Sequence, residues 1–208
     1  MFPLAPNPTK VRLYLAEKVL AGCEIQIDQL MVNIAAGEHK RSEHLARNPL
    51  GKLPVLELDD GSFVTESLAI IEYFEEIFPE PPMIGREPAE RARMRELERF
   101  TDLGGLIAIA RVVHATNSPL KLPALPEVAE QSREAVHVTF KILESRLDDG
   151  RPFLAGERPM IADCTLAAGL QFARFREIDF GLESDYPNLN AWDRLFRERE
   201  SAKLVLLV

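Results

Sequence analysis

Apolar positions along this chain recur with two different periods, and the change between them marks out its elements. Val55, Leu56 and Leu58 precede the turn signal Asp59-Asp60-Gly61, and Phe63-Val64-Thr65 is a second β-prone run. The pattern predicts a hairpin of residues 53–58 against 62–65. Immediately after it the period becomes helical over 68–78, with Leu68, Ile70, Ile71, Phe74, Ile77 and Phe78 on the apolar face. Upstream, Val11, Leu13, Leu15, Ala16, Val19 and Leu20 interleave with Lys10, Arg12, Glu17 and Lys18 to predict a helix from Thr9. Pro8 suits its first turn and Asn7 its cap. A short apolar piece at residues 1–4 and the alternation from Cys23 to Ile27 read as strands on either side of that helix. Ser42 opens a short helix to Ala46.

Pro79-Glu80-Pro81-Pro82 ends this part, and every later apolar pattern is helical. A long helix is predicted over 89–113, with Met94, Leu97, Phe100 and Leu103 inward and a bend at Gly104-Gly105. Further helices follow over 127–147, 161–175 and 189–199, the last opened by Tyr186-Pro187-Asn188. The expected organisation is an α/β domain at 1–79, a linker at 80–87 and an all-α domain at 88–208. The first has the order β-α-β-α-β-β-α of a thioredoxin-like domain. No Cys-x-x-Cys occurs, so dithiol exchange is not expected.

Composition narrows the function classes. The 208 residues are 46% hydrophobic and 28% charged, with a net charge of −8, an ordinary globular balance. The densest basic stretch, 86–99, is interleaved with Glu87, Glu90, Glu96 and Glu98, which argues against nucleic acid and anionic membranes. No apolar run approaches the roughly 20 residues of a membrane helix. Cys23 and Cys164 are far apart, and His39, His44, His114 and His137 have no metal-type spacing. With no leader-like start, a reduced cytoplasmic protein is expected.

The chemistry concentrates between Asn48 and Ser67. Pro54 opens the first strand of the hairpin, where a cis bond after Leu53 would turn the Leu53 N–H and C=O outward. Ser67 stands at the start of a helix, either as its N-cap or as an anion site with that helix's first N–H groups. Leu53-Pro54, the hairpin and Glu66-Ser67 together resemble the glutathione-binding half of the cytosolic glutathione transferases. The resemblance continues in Phe153-Leu154-Ala155-Gly156-Glu157-Arg158-Pro159 followed by Ile161-Ala162-Asp163-Cys164, and in Tyr186-Pro187-Asn188-Leu189 with Trp192. Family members usually carry a few more residues ahead of the Phe2-Pro3-Leu4 equivalent, completing a first strand.

The resemblance implies a cis Pro54 and glutathione as co-substrate. Glu66 and Ser67 would hold its γ-glutamyl end, the Leu53 backbone its cysteinyl amide, and Lys52 and Lys40 its glycyl carboxylate. Asp163 would anchor a buried helix where Met160 replaces the family's capping Ser or Thr. In many members a Tyr, Ser or Cys after the first strand donates a hydrogen bond to the thiol, whereas Ala5 at that position has no donor. Three substitutes remain open: the N–H groups of Thr9 and Lys10 at the helix end, the Asn7 amide, and a water held by His114 within His114-Ala115-Thr116-Asn117-Ser118. The last arrangement resembles bacterial and fungal members that lack the usual residue. Each group also suits a plain role: Asn7 as a helix cap, His114 as a surface histidine near a helix C-terminus, the lysines as solvated charges. The resemblance further implies a homodimer, with Asp102 reaching a partner's γ-glutamyl amine. It also implies an apolar cleft for a small hydrophobic electrophile near Ala5-Pro6, Leu106, Ile109, Ala110 and Phe172.

The expected activity is glutathione transfer. Alternatives are a non-catalytic scaffold of the same fold, or a glutathione-dependent peroxidase, isomerase, dehalogenase or aryl-ether lyase.

Overall fold

The computed structural model describes residues 4–207. The strand expected at residues 1–4 falls, but for Leu4, outside them. Helix α1 spans Pro6–Leu20, three residues earlier than the apolar pattern suggested, with Ala5 at its N-cap. Pro6 and Pro8 both fall in the first turn, where proline's fixed φ fits and its missing N–H loses no helical bond. Thr9 N–H closes that turn on Ala5 O at 3.0 Å. Asn7 is therefore inside the helix and is not its cap.

Among the described residues no strand forms over 23–27, where the alternation predicts one. Cys23 N–H bonds Lys18 O at 3.0 Å and Ile25 N–H bonds Cys23 O at 3.0 Å, so local turns take the donors a ladder would need. A short 3₁₀ turn, Glu38–Lys40, leads into α2, Ser42–Arg47. The hairpin is present but shorter than expected. Strands β1 (Val55–Glu57) and β2 (Phe63–Thr65) pair antiparallel, with Val55 opposite Thr65 and Glu57 opposite Phe63. Its tight turn uses Gly61 at φ 80°. Among the described residues these two strands are the whole sheet. Helix α3, Ser67–Ile77, follows directly.

The segment after α3 is fixed from α1 by a buried ammonium. Lys18 Nζ donates to Phe78 O (2.7 Å) and Pro81 O (2.8 Å) and pairs with Glu75 (2.7 Å). Glu75 also accepts from Tyr14 Oη (2.8 Å) and Met83 N (3.1 Å). Lys10 is buried as well, paired with Glu98 and 3.5 Å from Asp102. Along the sequence both lysines simply interleave with the apolar residues of α1. Buried charges persist only when paired and hydrogen-bonded, and these are.

The remainder is helical, as expected. Helix α4 (Pro88–Phe100) runs through a π-helical stretch, Thr101–Ile107, into α5 (Ala108–Thr116). The widened turn contains Gly104-Gly105. A Cβ at Gly104 would overlap the Thr139 hydroxyl, and one at Gly105 would come within 3.1 Å of Leu166 Cδ1, so both glycines allow close packing. Helix α6 spans Pro126–Arg146 and α7 Ile161–Phe175. Every residue of α7 from Ile161 to Ala173 is buried, and α7 packs against α1, α4, α5 and the π-helical stretch. The single closing helix expected over 189–199 is two, α9 (Pro187–Arg197) and α10 (Glu200–Val205), preceded by the short α8 (Leu182–Asp185).

Asp163 anchors α7. Its carboxylate accepts from Met160 N (2.8 Å), Leu154 N (2.9 Å) and Trp192 Nε1 (2.7 Å), while the Met160 side chain makes no hydrogen-bonded cap. Burial pushes this carboxyl up to about 6, against the pull of the N–H donors.

Candidate functional site

The N-termini of α1 and α3 meet at one place, and β1 packs against α3. The Leu53–Pro54 bond is cis, as expected. Leu53 lies just outside β1, and among the described residues neither its N–H nor its C=O has a hydrogen-bond partner. The loop before it is pinned at one carbonyl. Lys52 O accepts from Asn48 Nδ2 at 3.0 Å and lies 3.0 Å from His44 Nε2. Asn48 Oδ1 also accepts from Leu50 N (3.1 Å), and Gly51 at φ 60° completes the turn. The Asn-Pro-x-Gly sequence at 48–51 is a turn signal that could have singled out Asn48. Nothing in the sequence pointed to His44, a buried lone histidine on a short helix.

Glu66 occupies φ 67°, ψ 122°, a left-handed conformation that a non-glycine residue adopts at a cost of about 1–3 kcal/mol. It is the N-cap of α3, so Ser67 is the first helical residue and does not cap the helix. The Ser67 hydroxyl instead donates to Asn7 Oδ1 at 2.9 Å. This bond ties the start of α3 to the start of α1 and leaves the Asn7 Nδ2 protons as donors. The free donors at the end of α1 are also fewer than expected. Pro6 and Pro8 have no N–H and Thr9 N–H is engaged with Ala5 O, so in the first turn Asn7 alone offers a backbone N–H. The macrodipole of a 15-residue helix thus ends at one residue with backbone and side-chain donors together.

Lys40, at the end of the 3₁₀ turn, and Lys52 are exposed, and neither is in an ion pair among the described residues. His114 is half-buried in the last turn of α5. Its Nδ1 lies 3.0 Å from Ser118 Oγ and its ring 5.6 Å from that of Phe172. Burial lowers its pKa, which keeps the imidazole neutral near pH 7. His114 and Ser118 are thus held together, and among the described residues no hydrogen bond joins His114 to Asn7.

Two expectations are corrected. Asp102 is nearly buried, with Oδ1 facing Lys10 and Oδ2 accepting from Arg99 Nη1 at 2.7 Å, so its own chain engages both oxygens. Leu106, Ile109 and Phe172 are core residues and do not line a cleft. The cause is Gly169, whose bare Cα lets α7 press against Leu106 and Ile109. Ala5, Pro6 and Ala110 remain half-buried.

These residues offer an open backbone pair at Leu53, an exposed carboxylate at Glu66, N–H groups at the two joined helix ends and two exposed ammoniums at Lys40 and Lys52. Groups of these kinds can hold carboxylates, an ammonium and an amide.

Comparison with known proteins gives the same direction. Family models described as the N-terminal and C-terminal domains of glutathione S-transferase match residues 1–82 and 126–192. Glutathione S-transferase 2 of Saccharomyces cerevisiae is 30% identical over 98% of this chain and 87% of its own. A maleylacetoacetate isomerase of Pseudomonas aeruginosa is 30% identical over 93% of this chain and 84% of its own. Among solved structures, a glutathione S-transferase domain-containing protein of Marinobacter aquaeolei superposes with a TM-score of 0.84 at 33% identity, covering 95% of each chain. A glutathione S-transferase of Methylobacillus flagellatus, crystallised with glutathione bound, gives 0.82 at 26% identity, covering 100% of this chain and 98% of that one.

Proposed function

The chain belongs to the glutathione S-transferase family, and from that premise we propose that it holds glutathione at this site and turns its thiolate on a small hydrophobic electrophile. The observation that carries the reading is the Ser67–Asn7 hydrogen bond, which joins the carboxylate-binding helix end to the thiol-facing one.

In this reading the Leu53 N–H and C=O pair with the cysteinyl amide groups as an added strand would. Glu66 takes the γ-glutamyl ammonium. Its carboxylate meets the first N–H groups of α3, since the Ser67 hydroxyl is engaged by Asn7. Lys52 and Lys40 face the glycyl carboxylate. The sulfur meets Asn7, whose Nδ2 and backbone N–H favour the charged form. A free thiol has a pKa near 8.5, so only a few per cent is ionised at pH 7; each unit of lowering corresponds to about 1.4 kcal/mol. His114, neutral and held by Ser118, supplies a position for a water above the sulfur. The thiolate then forms a C–S bond. In a substitution the leaving group departs with its bonding pair, and in an addition the neighbouring carbon takes a proton from water. Homodimeric assembly is part of the same proposal, and sedimentation velocity tests it.

Isomerisation is a second reading, favoured by the likeness to maleylacetoacetate isomerase. There the thiolate adds to a conjugated double bond and leaves again, so glutathione is not consumed.

Calorimetric titration with glutathione, joined to an ultraviolet difference spectrum of the thiolate across pH, tests the proposal. Expected is binding with a thiol pKa below that of free glutathione, and Asn7→Ala raising it by about one unit. Binding without a shift would remove the catalytic part of the reading. No binding would sink it whole and favour a scaffold.

A further inference from the structure

Of the chain's four histidines, His44 alone is buried. It stands on α2, and its Nε2 lies 3.0 Å from Lys52 O, eight residues further on. A carbonyl oxygen only accepts, so this ring nitrogen carries the proton. Asn48, at the C-cap of α2, donates Nδ2 to the same oxygen at 3.0 Å, so the carbonyl's two lone pairs are both taken from the α2 side. Gly51 lets the loop lie against the turn before α2: a Cβ there would come within 3.0 Å of His39 O and 3.4 Å of Leu45 Cδ2. His44 also borders a cavity of about 500 Å³ whose wall includes Val11, Leu15, Ile70 and Phe74. In such surroundings an apolar ring would fill the space at lower cost, and a polar one is kept for its hydrogen bond.

Lys52 C=O and Leu53 N–H are the two ends of one peptide unit. That unit is trans, since the cis bonds among the described residues are Leu53–Pro54 and Glu80–Pro81. In a planar trans peptide the N–H points opposite to the C=O. Two donors that hold the carbonyl toward α2 therefore aim the Leu53 N–H away from α2, where among the described residues it has no partner. One donor leaves a carbonyl free to rock about that bond; a second, from another turn of the chain, removes that freedom. We propose that His44 is a positioning residue for glutathione: by holding Lys52 O it fixes the direction of the Leu53 N–H that meets the cysteinyl carbonyl. This inference rests on the glutathione reading of the site.

The test compares three ligands by calorimetry, each as its S-hexyl thioether so that a common apolar tail adds affinity. Glutathione has both the cysteinyl carbonyl and the glycyl carboxylate. γ-Glutamylcysteine keeps an acceptor oxygen at the cysteinyl position and lacks the glycine. γ-Glutamylcysteamine lacks both. His44→Phe should weaken the first two by about fivefold each and the third by less than about twofold, which also checks that the site is still built. His44→Gln, with an amide N–H near the position of Nε2, should restore the first two. Equal losses on all three ligands would mean a merely structural role and would overturn the proposal. A loss confined to S-hexylglutathione would move the effect to the Lys52 side chain and the glycyl carboxylate, and would overturn it as well, as would no loss at all or a glutamine variant as weak as the phenylalanine one. A parent protein that binds none of the three would instead remove the glutathione reading itself.

Discussion

Replacing Asp163 by Ala should cost this protein a large share of its stability. The carboxylate is fully buried and accepts three hydrogen bonds, from Met160 N, Leu154 N and Trp192 Nε1, at 2.7–2.9 Å. Alanine leaves three buried donors without an acceptor, and each costs about 1–3 kcal/mol when stranded. The costs do not add fully, because the vacated space admits relaxation or a water. We expect a loss of about 3–5 kcal/mol, against the 5–15 kcal/mol typical of a whole domain. Urea denaturation followed by tryptophan fluorescence measures it well. Trp192 is the chain's one tryptophan, and its indole N–H is a partner of the mutated group. Circular dichroism on the same samples gives a second probe of the transition. A loss below about 1 kcal/mol with an unchanged urea slope would refute the claim that this carboxylate anchors α7. The pH dependence follows from the same residue. Its folded pKa is raised to about 6, above the roughly 4 of an unfolded Asp. Between those values the folded protein holds a proton that the unfolded chain has released, so this group's contribution falls as pH rises through the window. The loss on Asp163→Ala should accordingly be smaller at about pH 8 than at about pH 5.

Lys10→Met removes the partner of buried Glu98, whose Oε2 already has no hydrogen bond, and should destabilise by about 3–5 kcal/mol; adding Glu98→Gln should recover part of this, and a double variant no more stable than the single would count against the pairing. Ser67→Ala frees Asn7 while keeping the α3 N–H groups, so calorimetry should show glutathione binding weakened several-fold, by about 0.5–1.5 kcal/mol, with the thiol pKa raised. For His114 the folded pKa lies below the unfolded one, so the unfolded chain takes up the proton first and stability falls as pH drops below about 6.5. Thermal melts across that range should show a shallower slope for His114→Gln, and an unchanged slope would assign the effect to other groups.

Local chemistry was legible in the sequence where neighbours along the chain decide the structure. The Asp59-Asp60-Gly61 turn, the cis Leu53–Pro54 bond and the buried helix behind Asp163 all followed from short motifs or from the resemblance they carry. Groups whose partners lie far along the chain were misread. Lys10 and Lys18 look like solvent-facing charges because their partners are 88 and 57 residues away, and no periodicity reports that. The stretch after Cys23 alternates like a strand, but alternation supplies no partner, and its first donors close local turns. The cleft inferred around Leu106 and Ile109 failed because Gly169, a single missing side chain on another helix, brings α7 onto them. Asn7 also suited a helix cap, but the two prolines put the helix start ahead of it, at Pro6.

Helix α1 bears on how this protein could be recombined with its relatives. Lys10 reaches Glu98, and Glu17 holds Arg199 through two bonds of 2.7 Å together with Ser201. A crossover at residue 82, where the first family match ends, would cut every one of those partners away from the helix that depends on them. Chimeras joined there should fold only when the incoming C-terminal half brings an acid at 98 and an Arg–Ser pair at 199 and 201. Libraries that keep residues 98, 199 and 201 with the N-terminal donor should yield soluble protein where blunt exchanges fail. What is inherited as a unit is then a set of contacts around one helix, and a boundary drawn along the chain does not enclose it.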